Sequence, residues 1–311
     1  MTTYLSLFTG AGGFDLGANA AGWDCIGQVE INPACLSLLQ HHWPNVPQWD
    51  DIQTFHPTTP ADIIIAGFPC QDISSSGNRE GLNGARSGLY TEVLRIVDEM
   101  RTQTNNQYPK WLILENVRGI LTIDDGKGFR TILNGLAQQG ALLIDWALLD
   151  SQFFGTPQRR QRVFIAACFD SSTVARCAES VFPVAESSKR NPNKREVLNT
   201  ERSADCFEPK SKTTAFARYS YGKYGYGVTT LMASARGDET LLATPKGVRR
   251  FTPLECERLQ TWPDNHTQRG VYGEHFTDAQ RYRMIGNGVT ASVAQWICEQ
   301  IEQTQVADGN R

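Results

Sequence analysis

Along the first 170 residues, short, mostly apolar runs alternate with longer stretches whose apolar positions recur every three or four residues. The runs are Tyr4–Phe8, Cys25–Val29, Ala61–Ala66, Trp111–Leu114, Ala141–Asp150 and Val163–Cys168, and Asp51-Ile52 closes a further short one. Runs apolar on both faces are the pattern of strands buried between two helix layers, not of a sheet with one wet side. The periodic stretches between them predict helices at Phe14–Ala21, Pro33–His42, Leu89–Arg101 and Phe129–Gln139. Pro33 sits at the first turn of its helix, where a missing N–H is no loss. Strand and helix in alternation predict a doubly wound, parallel α/β sheet, which places reacting groups beyond the carboxyl ends of its strands.

Four of those carboxyl ends carry groups suited to chemistry. The first strand runs into Thr9-Gly10-Ala11-Gly12-Gly13, a glycine turn that lets a ligand approach the backbone at a helix start. The second ends in Glu30, where nucleoside-binding folds hold ribose hydroxyls. The fourth ends at Gly67-Phe68-Pro69-Cys70, and Pro69 forces Phe68 out of the helical region, so the chain enters Cys70 extended. The next strand delivers Glu115, a carboxyl whose apolar surroundings favour a raised pKa and proton donation. Gln158-Arg159-Arg160-Gln161-Arg162 directly precedes the last core strand, at the amino edge of the run Val163–Cys168.

After Asp170 the periodicity stops, and Ser, Asn, Pro and Lys dominate as far as Lys212, which predicts a linker. Ala217–Gly227 interleaves Arg218, Lys223 and four tyrosines with glycines, a composition suited either to phosphate contact and base stacking or to a tyrosine-rich hairpin. An apolar-periodic helix returns over Arg249–Gln260, with Thr252 as N-cap and Pro253 in the first turn, and Ala291–Gln303 predicts a terminal helix.

Composition changes the picture only in its distribution. The 311 residues are 40% hydrophobic and 20% charged with a net charge of −3, an ordinary globular balance. Between Glu186 and Arg250, however, 13 Lys/Arg stand against 7 Asp/Glu, so this stretch carries +6 and the remainder −9. That asymmetry points to a polyanion-facing segment on a mildly acidic body. The eight cysteines include no C-x-x-C pair and the histidines number five, which suits a reducing cytoplasm and no structural metal. No run is long enough for a membrane span and no leader pattern opens the chain.

Taken together and in order, these motifs resemble the cytosine-C5 DNA methyltransferase family. Phe8-Thr9-Gly10-Ala11-Gly12-Gly13, Gly67-Phe68-Pro69-Cys70-Gln71, Glu115-Asn116-Val117, Gln158–Arg162, Arg250–Asp264 and Ile285-Gly286-Asn287-Gly288-Val289 are similar to six family motifs in family order. The resemblance implies a Rossmann-like S-adenosylmethionine-dependent methyltransferase fold with a smaller target-recognition domain. Residues 1–170 would form the catalytic domain, 171–250 the linker and recognition region, and 251–311 a C-terminal part whose last helix returns to the catalytic domain. It implies catalytic roles for Cys70 as nucleophile on cytosine C6, Glu115 toward N3, and Arg162 toward O2 with Arg160 as its support.

For the cofactor, S-adenosylmethionine, the resemblance implies Phe8, Gly10, Gly12, Gly13, Glu30 and Ile31. It adds Asp51, Ile52, Pro69 and Leu89, with Asn287 and Val289 from the closing motif. Position 31 is often aromatic in the family, and Ile31 offers only apolar contact in its place. DNA contacts would come from Gln71, Ser74 and Ser76 after the nucleophile, and from Arg218, Tyr219, Lys223 and Tyr224 in the basic segment. Reaching C6 inside a duplex requires the base to be flipped out. The expected substrate is thus duplex DNA, the expected protein a monomer without a metal, either paired with a cognate restriction endonuclease acting separately or working as a phage or solitary enzyme. Two alternatives stand beside this reading: the same chemistry on tRNA, and a catalytically inactive DNA-binding regulator.

Overall fold

The structure, a computed structural model, describes residues 1–69, 88–176, 181–182, 214–218, 224–226, 228–229, 241–244 and 247–305. Its centre is a seven-stranded sheet in the order β3-β2-β1-β4-β5-β8-β6. The strands are β1 (Thr3–Leu7), β2 (Asp24–Val29), β3 (Gln48–Trp49), β4 (Ile63–Ala66), β5 (Trp111–Val117), β6 (Leu143–Asp150) and β8 (Gln161–Cys168). β3, β2, β1, β4 and β5 pair in parallel, whereas β8 lies antiparallel between β5 and β6. The reversed strand departs from the all-parallel expectation. Its cause is the connection from Asp150 to Gln161, too short for a crossover helix, which returns the chain directly alongside its predecessor.

Alternation along the strands builds two cores. Leu5, Leu7, Ile64, Leu112 and Ile165 face one side, where Val93, Ile96 and Val97 of helix α3 (Gly88–Gln103) and Ile132 and Leu136 of α4 (Lys127–Gln138) cover them. Tyr4, Ile63, Ile65, Ile113 and Phe164 face the other, under α1 (Gly13–Ala20) and the last helix. In chain order the remaining helices are α2 (Pro33–His42), α5 (Ser171–Arg176), α6 (Pro253–Leu259), α7 (Asp278–Asn287) and α8 (Ala291–Gln305). α8 lies so close to α1 that a Cβ on Gly17 would stand 2.5 Å from both the Ala291 carbonyl and the Ala294 Cβ. Only glycine admits this approach.

Local signals account for the element ends. Asn32 caps α2, its side chain accepting from the Ala34 and Cys35 amides, with Pro33 at the first turn. Thr252 caps α6 in a reciprocal box with Glu255, and the helix is confined to Pro253–Leu259 because Arg249 and Arg250 belong to strand β13 (Gly247–Arg250). Short strands β9 (Thr214–Arg218), β10 (Tyr224–Tyr226), β12 (Leu241–Thr244) and β13 form a second, antiparallel sheet in the order β10-β9-β12-β13. Where the tyrosine-rich stretch is described it is paired backbone, with Tyr224 opposite Arg218 and Tyr226 opposite Phe216. β11 (Val228–Thr229) pairs with β7 (Gln158–Arg159) and so ties this region to the segment just before β8.

Candidate active site

Strand order reverses between β1 and β4, and at that switch point the carboxyl ends of β1, β2, β4 and β5 surround a cavity of about 500 Å³. Its walls come from Phe8, Gly10 and Gly13 of the glycine turn, Glu30 and Ile31 after β2, Gly67–Pro69 after β4, Glu115 and Asn116 of β5, Arg162 of β8, and Asn287–Val289 at the end of α7. Most of the residues expected to act together are therefore brought together.

One side of the cavity is built around Glu30. Its carboxylate accepts from the Gly10 amide at 2.7 Å and the Asn32 amide at 2.8 Å, which joins the glycine turn to the start of α2. Burial raises the Glu30 carboxyl above its ordinary value, and these two amides pull it back. Phe8 and Gly10 both hold left-handed backbone, with φ of 55° and 60°. For Phe8 that conformation is strained, and such strain concentrates where a ligand is held. Ile31 is 74% exposed on the cavity wall, an apolar surface that a bound ring would cover. A carboxylate with spare lone pairs, an apolar wall and an open Gly10 fit the ribose and base of S-adenosylmethionine, and the volume suits a ligand of that size.

On the far wall, Arg162 Nε lies 3.0 Å from Glu115 Oε1, and both side chains are largely buried. Glu115 sits within the β5 ladder, opposite Phe164, because β5 continues to Val117 and does not stop at Leu114. Burial pushes the Glu115 carboxyl up, while the Arg162 and Arg160 charges act against the rise. A Cβ on Gly67 would stand 3.4 Å from Glu115 Oε2, so the carboxyl is packed against the strand end that leads toward Cys70. Asn116, which carried no assigned role, donates from Nδ2 to the Phe68 carbonyl at 3.0 Å and fixes that same strand end. An amide directly after a strand-end acid is the signal that could have marked it.

Several expected residues lie elsewhere. Arg160 is only 1% exposed and does not line the cavity; Nη2 donates to the carbonyls of Gly286 at 2.8 Å and Gly288 at 2.7 Å. Its support is given to the strip carrying Asn287 and Val289. Asp51 and Ile52 also miss the cavity, because β3 ends at Trp49 and Asp51 caps the following turn through the Gln53 amide while Ile52 joins the core. Leu89 packs on the core from the first turn of α3, and Gly12 (φ 77°) lies beneath the Trp43 ring as the N-cap of α1. Cys70, Gln71, Ser74, Ser76, Tyr219 and Lys223 lie outside the described residues. Gln280, Arg283 and Cys35 line the cavity without having been anticipated.

Comparison with known proteins agrees with this geometry. The family model for C-5 cytosine-specific DNA methylase matches residues 2–223 and 188–303. The chain is 29% identical over 320 residues to the type II methyltransferase M2.BsuMI of Bacillus subtilis (strain 168), covering 96% of this chain and 75% of that one. It is 25% identical over 331 residues to the type II methyltransferase M.HhaI of Haemophilus parahaemolyticus, covering 96% and 93%. In fold it is similar to the S. pombe Dnmt2 methyltransferase, with a TM-score of 0.68 at 17% identity over 98% of this chain and 100% of the other. The matched motifs, the sheet order and the cavity converge: the chain belongs to the C-5 cytosine-specific DNA methylase family.

Proposed function

We propose that this DNA (cytosine-5-)-methyltransferase works in the cavity at the switch point, with S-adenosylmethionine between Glu30 and the glycine turn and the target cytosine between Cys70 and Glu115. The observation that carries the reading is the buried Glu115–Arg162 pair at 3.0 Å, which opens into the same cavity as Glu30 and abuts the strand end leading to Cys70. A carboxyl kept above its ordinary pKa can hold a proton for cytosine N3. Arg162, anchored by Glu115, is left with guanidinium N–H groups for the base O2.

Cytosine C5 is a poor nucleophile until a group adds at C6. The Cys70 thiolate supplies that addition, forming the S–C6 bond while the electron pair of the C5–C6 double bond moves toward N3, which takes its proton from Glu115. S-adenosylmethionine, when bound, would supply the electrophilic methyl to C5 and leave as S-adenosylhomocysteine. Loss of the C5 proton to water, with return of the N3 proton to Glu115, restores the double bond and expels Cys70 as thiolate. The strands β9–β13 and their basic surroundings, residues 171–250, form the recognition region in this reading, because base edges must be read outside the shared catalytic cavity. Duplex DNA is the substrate, and a restriction endonuclease of the same specificity is the partner activity.

The test is a duplex carrying 5-fluorocytosine at the target. Fluorine at C5 cannot leave as a proton, so the enzyme with S-adenosylmethionine becomes a covalent complex that survives denaturation. Peptide mapping should place the bond at Cys70, and Cys70→Ser should lose trapping while still binding DNA through its phosphate contacts. An adduct on any other cysteine would remove Cys70 from its role.

A further inference from the structure

The segment Arg250–Asp264, one of the six motifs, and the residues just after it touch the glycine turn and the strip that follows α7. The Trp262 ring fills the space beside two glycines of the cavity wall. A Cβ on Gly13 would stand 2.6 Å from it, and one on Gly288 would also collide with it. Trp262 Nε1 donates to the Val289 carbonyl at 2.9 Å. Four residues on, His266 Nε2 donates to the Ala11 carbonyl at 2.8 Å. A carbonyl can only accept, so that ring is held as the Nε2–H tautomer. The same argument fixes His42, whose Nε2 donates to the His266 carbonyl at 2.8 Å and whose ring stacks on that of His266 at 4.1 Å.

The loop that presents these groups is itself held rigidly. Glu257, fully buried, accepts from the Asn265 amide at 2.8 Å, the Thr267 amide at 2.8 Å and Arg281 Nη2 at 3.0 Å. Neither Trp262 nor His266 lines the cavity, yet Ala11, Gly13, Gly288 and Val289, the groups they touch, all do. We propose that His266 and Trp262 are positioning residues for the cofactor, holding the glycine turn and the Gly288–Val289 strip from outside the cavity in the arrangement that admits S-adenosylmethionine. The inference rests on the reading that this cavity is the cofactor site. Releasing the turn lets it populate arrangements that do not bind, and apparent affinity falls by the fraction that remains competent.

His266→Phe keeps the ring and its stack but removes the donor to Ala11. Its S-adenosylmethionine affinity by calorimetry should fall about tenfold, equal to about 1.4 kcal/mol. KM for the cofactor should rise with it, kcat at saturation should change far less, and affinity for target duplex should hold. Unchanged cofactor affinity in the folded variant, or a loss confined to DNA binding, overturns the proposal. Glu30→Ala measured in parallel separates the two readings. If it loses the cofactor while His266→Phe does not, the positioning role alone fails; if neither affects binding, the cavity assignment fails as well. Hydrogen exchange on the unaltered protein covers the case in which His266→Phe does not fold. S-adenosylmethionine should slow exchange in residues 261–268 together with residues 9–14, because the coupling is reciprocal. Protection of 9–14 alone would refute it.

Discussion

Replacing Arg160 by methionine separates two arginines that stand two positions apart and that the motif treats as one unit. Methionine is unbranched and of similar length, so it keeps most of the packing and removes the charge and donors. Two charge-assisted hydrogen bonds disappear, to the Gly286 and Gly288 carbonyls. Each contributes about 1.5–3 kcal/mol. Against this, an apolar side chain no longer has to bury a guanidinium, whose desolvation costs several kcal/mol. Gly288 also keeps a 3.5 Å contact from Gln260 Nε2. The bonds together are worth about 3–6 kcal/mol, so with part of this offset by the relieved desolvation a net loss of up to about 3 kcal/mol is expected. For 311 residues the unfolding entropy is roughly 0.65 kcal/mol/K, so the midpoint should fall, by up to about 5 °C. Because the same carbonyls flank Asn287, cofactor affinity should fall several-fold while kcat at saturating cofactor is largely kept. Arg162→Met should show the opposite balance, with kcat bearing most of the loss. Calorimetric melting and steady-state methyl transfer on both variants supply the comparison. An Arg160→Met protein with an unchanged midpoint and a collapsed kcat would refute the placement of this arginine behind the cavity.

Glu115→Gln should lower kcat by roughly 10²–10⁴-fold, the usual effect of losing a general acid, measured as tritiated methyl incorporation. Its pH behaviour has a definite sign. The folded carboxyl lies above its ordinary value of 4.5, so Glu115 favours the folded state fully below about 4.5 and loses that advantage as pH rises through the raised pKa. The stability of the wild type relative to Glu115→Gln should therefore decline upward from about pH 4.5, and denaturant midpoints across pH check it. Gly17→Ala should destabilise by roughly 1–3 kcal/mol through overpacking, since its Cβ would strike the Ala291 carbonyl and Ala294. Gly22→Ala, whose Cβ meets nothing but whose φ is 83°, serves as the comparison, carrying backbone strain without the α1–α8 clash.

Much of this arrangement is legible in local signals, and what is not legible has a physical cause. Asn32 with Pro33 and Thr252 with Pro253 mark helix starts because capping is a contest between neighbouring groups, decided within four residues. The strand ends carrying Gly10, Glu30 and Gly67 follow from apolar runs that stop at glycine or acid, and the sheet topology then gathers them at one edge. The antiparallel β8 is different, because its apolar run would suit either direction and only the return from β6 decides it. Arg160 and Arg162 show the same limit more sharply. In one continuous strand, positions 158, 160 and 162 would share a face. Here the ladder breaks at Arg160, between β7 and β8, so the two guanidinium groups part: one goes under Gly286 and Gly288, the other onto Glu115. The break follows from pairings on both sides, β7 with β11 and β8 with β5 and β6, that join residues far apart in the chain. Trp262 and His266 belong to this class too. Their partners at Val289 and Ala11 are fixed by how α6 and α7 pack over the glycine turn, and no periodicity around Gln260–Thr267 records that contact. Alternation and capping thus specify where the Glu115 carboxyl and the glycine turn lie, whereas the residues packed behind them are set by contacts between distant segments.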